Sequence, residues 1–235
     1  QRRDAGGDGR AVPRRDRAPD QRHGRRAVAQ AAGRDAQKKT LWAAERLSPE
    51  KVEARRAFAE SQTALDPAAL VFVDEAGVNR KMTRRYARAH RSQRAVGYAP
   101  GGWGKNTTLT GAMTQEGLLV LDRRVGGGTT KVRFLAFVTD VLCPALRPGQ
   151  VVVLDNLSAH KGAEVRAAIE AVGCRLVFVP PYSPEYNAIE KLWSKLKARL
   201  RGIGARTQEA LEVAITEAAA TITLSDAANW IRGAG

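Results

Sequence analysis

The chain has 235 residues, enough for one domain with extra arms or for two small domains. Its 39 Lys and Arg against 24 Asp and Glu leave a formal charge of +15, which points to a polyanionic partner, most simply nucleic acid. No apolar run approaches the ~20 residues of a membrane span, the N-terminus lacks the apolar stretch of a secretory signal, and Cys143 and Cys174 neither build a disulfide scaffold nor stand at metal-ligand spacing, so a reducing cytoplasm and no membrane are expected.

Residues 1–37 use only eight amino-acid types and hold 10 Arg against 5 Asp, with no Leu, Ile, Phe, Trp, Tyr or Met. Such a segment cannot offset the entropy of ordering it and reads as a disordered basic arm. Two explanations stand side by side. The arm binds DNA, or it is GC-rich DNA read in a non-native frame, since all eight types have codons beginning with G or C. Residues 38–67 read as a linker with a helix over about 49–62, because Ser48 offers an N-cap, Pro49 a first helical position and Glu50 an acid in the first turn.

From about residue 68 onward the order of elements becomes informative. Leu70-Val71-Phe72-Val73-Asp74 reads as a buried strand closed by an acid. Residues 84–96 carry Arg84, Arg85, Arg88, His90, Arg91 and Arg94 and suit an exposed strand or a loop. They could track a DNA backbone, or simply form a solvated basic face. Trp103, in a Gly-rich loop beside Lys105, could stack on a base or pack under the loop. Residues 107–113 and 118–121 predict a hairpin turning at Glu116-Gly117.

Thr130 caps a predicted helix with Val132, Leu135, Val138 and Leu142 on one face. Val151-Val152-Val153-Leu154-Asp155 is a second apolar run closed by an acid. A helix over about 161–172 should bury Val165, Ile169 and Val172 and stop at Gly173, before a strand over 175–179. Ser183-Pro184-Glu185 starts a predicted long helix to about Arg201, and Thr207 caps a last helix with Leu211, Ile215 and Ile222 inward. Strands in hairpins followed by alternating helices and strands predict an α/β fold, a mixed sheet of about five strands flanked by helices, and this order resembles the ribonuclease-H-like fold.

Asp74 and Asp155 both close strands, and the carboxyl ends of strands in α/β sheets are where sites are built. Either acid alone would serve equally as a turn or cap residue. On a helical wheel Ile189, Leu192, Trp193, Leu196 and Leu200 form one apolar stripe, with Glu190 at its border and Asn187 on the polar side. Glu190 is then either a member of the site or a solvated surface acid. Three carboxylates at one rim suit hard divalent cations acting on a phosphodiester. Glu75 follows Asp74 directly, points to the other face of the strand and is left out of this set. Lys191, Lys195 and Arg199 form a self-repelling row unless an anion offsets it, and DNA could supply that anion.

The stretches Val71-Phe72-Val73-Asp74-Glu75, Val153-Leu154-Asp155-Asn156 with His160-Lys161, and Pro180-Pro181-Tyr182-Ser183-Pro184-Glu185-Tyr186-Asn187-Ala188-Ile189-Glu190 resemble the DDE transposases of bacterial insertion sequences in the mariner superfamily. Between Asp155 and Glu190 lie 34 residues, the spacing of that family's second Asp and Glu. Ala188 departs from the proline usual there. The resemblance covers residues 38–235. It implies that Asp74, Asp155 and Glu190 are catalytic and hold two Mg2+, with Mn2+ as an alternative, and that Asn156, His160 and Asn187 support them. It further implies double-stranded DNA as partner, both element ends and a TA target, a homodimer on paired ends and a nucleoid-associated bacterial setting. Arg84, Arg85, Arg88, Arg91, Trp103, Lys105, Lys161, Lys191 and Lys195 are the expected DNA contacts. The helix-turn-helix modules that normally precede such a catalytic half find no match in residues 1–37. That leaves two alternatives: a DNA-binding remnant without end recognition, and a ribonuclease-H-like nuclease that cuts without joining.

Overall fold

Strands β1 (Leu70–Val78), β2 (Thr107–Thr114), β3 (Gly117–Val125), β4 (Val151–Leu154) and β5 (Arg175–Phe178) form one sheet in the order β3-β2-β1-β4-β5. The computed structural model describes residues 43–62, 64–84, 86–102 and 104–234, so the expected 1–37 arm, Arg85 and Trp103 lie outside the described residues. The first three strands pair antiparallel, and β1, β4 and β5 run parallel. This is the predicted mixed sheet.

Alternation along the strands sends side chains to two helical layers. Phe72, Ala76, Val151 and Val153 face one core, which includes Leu192, Trp193, Leu196, Leu211, Ile215 and Ile231. These come from α4 (Ile189–Ile203), α5 (Gln208–Ala219) and α6 (Leu224–Arg232). Val71, Val73, Val152 and Leu154 face the other core, with Phe134, Phe137, Val165 and Ile169. These come from α2 (Lys131–Phe137) and α3 (Ala163–Ala171). Helix α1 (Pro49–Gln62) joins the first core through Phe58, whose ring lies 5.2 Å from that of Tyr186. From residue 43 on, the expected linker belongs to the same unit as the sheet, which spans residues 43–235.

The apolar stripe predicted for α4 is fully buried, Trp193 included. The ring of Trp193 lies against Gly111 on β2, where a Cβ would stand 2.9 Å from it and 3.3 Å from the Val120 carbonyl oxygen. Glycine is what lets this large ring approach the sheet. At its far end α4 stops on Gly204 in the left-handed region, φ 66°, a conformation that strains a residue with a Cβ but not glycine.

Several local expectations are corrected. Asp74 does not close β1 but sits in its middle, because the strand runs on to Val78. Residues 84–96 take the loop alternative, with no strand among the described residues. After α2 the chain widens into a π turn over Val138–Leu142, which brings Phe134, Phe137, Val138 and Leu142 to the buried side and leaves Val132 78% exposed. The predicted helix from Ser183 is broken. A single 3-10 turn, Pro184–Tyr186, ends at Asn187 in extended backbone, and α4 starts only at Ile189. Thr207 does cap α5, but the chain ends in a further helix, α6, started by a capping box between Thr223 and Asp226.

Candidate active site

Parallel pairing of β1 and β4 decides where the first two acids stand. Phe72 is the register partner of Val153. Two residues further on, Asp74 and Asp155 therefore leave neighbouring strands side by side, on the face covered by α4. Glu190 lies in the first turn of α4. Asp74, Asp155 and Glu190 line one open cleft of about 530 Å³, with Asn156, Lys161, Pro180, Tyr182 and Asn187 around them.

The electrostatics of the cleft are unfavourable without a cation. Asp74 is 8% exposed. Burial pushes its carboxyl up, the Glu75 backbone pulls partly against this, and the charges of Glu190, Glu75 and Asp155 add to the rise, which reaches about 7. Asp155 behaves in the opposite way. Burial disfavours its charge, but His160, the Leu157 N–H and Lys161 outweigh this and hold it below the usual carboxylate range. For His160, burial disfavours the imidazolium, yet Asp155 and Glu75 hold its pKa up to about 9. The two carboxylates thus favour the charged form of the ring.

Local structure explains these contacts. Asp155 Oδ1 accepts from the Leu157 N–H at 3.0 Å, and the Leu157 carbonyl accepts from the His160 N–H at 3.0 Å, so the loop after β4 curls back on itself. Asn156 donates from Nδ2 to the Val179 carbonyl at 2.6 Å and ties that loop to the end of β5. The ring of His160 is fully buried against Phe134, and its Nδ1 lies 2.6 Å from Asp155 Oδ1, an ion-pair contact in which the ring N–H is not aimed at the oxygen. Asn187, 7% exposed, lines the cleft with its Oδ1 free of hydrogen-bond partners.

Among the described residues, no three His, Cys, Asp or Glu side chains form a ready metal cage. The donor set nevertheless fits a hard divalent ion. Mg2+ is commonly held by one or two carboxylates plus substrate phosphates rather than by an all-protein cage, and a cation would offset the repulsion that adds to the effect of burial on Asp74.

A family model described as DDE superfamily endonuclease matches residues 69–212. The chain belongs to the DDE superfamily endonucleases. Its fold is similar to that of the Mos1 transposase in a paired-end complex with the left transposon end, with a TM-score of 0.71 at 18% identity over 89% of this chain and 66% of that one. The pre-cleavage Mos1 transpososome gives 0.70 at 18% identity, over 88% of this chain and 65% of the other. The catalytic domain of Mos1 mariner transposase gives 0.56 at 15% identity, over 83% of this chain and 91% of that one. The chain thus spans just under two thirds of the length of the first two, and at such identities the likeness establishes the ribonuclease-H-like fold. No curated protein matches the sequence.

Within the DDE endonuclease, Asp74, Asp155, Glu190, Asn156, Asn187 and Lys161 gather in the cleft. His160 lies behind it. Of the expected DNA contacts among the described residues, Lys161 lines the cleft and the others do not. Arg88 and Arg91 are exposed on the irregular segment between β1 and β2, and Lys105 and Lys191 are exposed elsewhere. Arg84 lines a second, shallow cleft with Tyr86, Ala198 and Arg201. Lys195 differs from the others in having a partner within the chain: its Nζ pairs with Asp226 of α6. The anion that offsets the basic row at this position comes from the chain itself. Glu75 is a residue that sequence reasoning misses. Its contact with His160 joins residues 85 positions apart, and no local spacing signals such a pair. Among the described residues, no helix is long and apolar enough to cross a membrane.

Proposed function

We propose that this chain is the catalytic part of a transposase, cutting DNA at the ends of its element and joining the freed ends to target DNA. The supporting observation is the side-by-side placement of Asp74 and Asp155, with Glu190 facing the same cleft. Two divalent ions, Mg2+ or Mn2+, held by these three carboxylates would activate the attacking oxygen and stabilise the leaving one. The chain's own residues prepare the site for that chemistry. Asp155 is fixed by the Leu157 N–H and His160. Lys161, exposed at the rim, offers positive charge to the phosphodiester, and Asn187 lines the same cleft.

In the first step water adds to the scissile phosphorus and the 3′ oxygen leaves as a hydroxyl. In the second that hydroxyl attacks a target phosphorus in line and displaces another 3′ oxygen. Double-stranded DNA is the substrate in both steps, a TA dinucleotide the target and a homodimer on paired ends the working form. Replacing Asp155 with Asn should abolish Mg2+-dependent cleavage of DNA bearing the element's own ends while leaving DNA binding intact; cleavage at the parent rate rules the assignment out. A joined product in the same assay separates a transposase from a nuclease of the same fold.

A further inference from the structure

Asp155 is held from behind by a residue on the opposite face of the sheet. Glu75 follows Asp74 on β1, so its side chain leaves toward α2 and α3 while Asp74 faces α4. There Glu75 Oε1 lies 3.1 Å from His160 Nε2. His160 is fully buried, with its ring centroid 4.0 Å from that of Phe134, and its other nitrogen reaches Asp155 Oδ1. The Asp155 carboxylate meets both His160 and the Leu157 N–H through Oδ1. Oδ2 is the oxygen left for the cleft.

Glu75 is a costly residue for packing alone. Its side chain is 10% exposed, and its Oε2 is buried with no hydrogen-bond partner. The layer on that face holds Val71, Val73, Phe134 and Leu154, with the buried Thr110 as the cross-strand partner of Glu75. A buried carboxylate with an unpaired oxygen disfavours the fold, and a well-packed apolar side chain in its place is often neutral or stabilising. Something other than stability accounts for an acid here.

We propose that Glu75 is a positioning residue: through His160 it fixes the Asp155 carboxylate, with Oδ1 committed to the protein and Oδ2 presented to a divalent cation. This rests on Asp155 being a metal-binding residue.

The test measures Mn2+ binding to the full 235-residue chain without DNA, by the electron paramagnetic resonance signal of the free ion, together with thermal melting. Glu75→Leu is expected to melt at or above the parent temperature while binding Mn2+ about 10-fold more weakly, the scale on which partners behind metal ligands act. Glu75→Gln keeps an acceptor for Nε2–H but loses the charge, and is expected to fall between the two, weaker by roughly threefold. Parent-like affinity in Glu75→Gln overturns the proposal, and this variant decides alone where Glu75→Leu does not fold. A Leu variant that loses stability and affinity together, while Gln retains both, assigns Glu75 a structural role and likewise overturns it. Asp155→Asn serves as the reference. If it binds Mn2+ like the parent, the metal-site reading itself fails and the proposal falls with it; if it loses binding, the Glu75 variants judge the proposal on its own.

Discussion

Asp74 shows how a site can work against its fold. Its carboxyl, ordinarily at 3.8, is raised to about 7, first by burial and then by the charges around it. A raised carboxyl contributes stability that is full below the ordinary value and lost as the pH climbs through about 7. Asp74→Asn is therefore expected to raise the melting temperature at pH 8 in metal-free buffer. The gain should be about 2–4 °C, corresponding to ~1 kcal/mol in a domain of this size. The same change should abolish cleavage. A melting temperature at or below that of the parent refutes the electrostatic argument. The effect should shrink when Mg2+ is added, because a bound cation removes the repulsion that the substitution also removes.

Helix α4 is held at both faces. Its apolar stripe lies on the sheet, and Lys195 on its outer side pairs with Asp226 of α6. The Lys195 ammonium and the Thr223 hydroxyl and N–H pull the Asp226 carboxyl down to about 2. A depressed carboxyl contributes stability that is present above its ordinary value and lost as the pH falls through its folded value. The melting difference between parent and Lys195→Ala should thus be full at pH 6 and fade between about 4 and 2. A difference unchanged across that window dissociates the two residues.

The legibility of each element in the sequence follows from how local its cause is. The stripe from Ile189 to Leu200 is a period within one helix, and all five of its residues are buried as expected. The caps at Thr130 and Thr207 are likewise local. Val132 escapes the predicted buried face because a π turn changes the phase of the pattern after Phe137. The helix expected from Ser183 is interrupted at Asn187, whose amide lines the cleft. The acids Asp74 and Asp155 are legible as a pair, but their adjacency comes from strand register. Glu75 does face away from them, as strand alternation predicts, and its link to Asp155 runs through a third residue that no spacing rule connects to it.

At the scale of the whole molecule the charge divides. Residues 1–37 account for +5 of the +15, which leaves +10 on residues 38–235. Arg88 and Arg91 are exposed on the segment between β1 and β2. Replacing both with Ala should weaken binding to mixed-sequence duplex DNA and flatten the dependence of log affinity on log salt. The slope should fall by up to about 2, near 0.9 for each phosphate no longer neutralised. Lys195→Ala, which removes a cation already paired within the chain, should change that slope less. An unaltered slope in the double variant means that this segment does not touch DNA.

The site is assembled from two parts with different mechanical character. Asp74 and Asp155 are set by the register of central strands, which can shift only by breaking the sheet. Glu190 arrives on a helix that docks by side-chain packing and an ion pair. Warming the protein loosens helix docking before it disrupts a central sheet. Catalysis should therefore fade on heating at a lower temperature than the one at which the sheet melts, through loss of the glutamate's contribution alone.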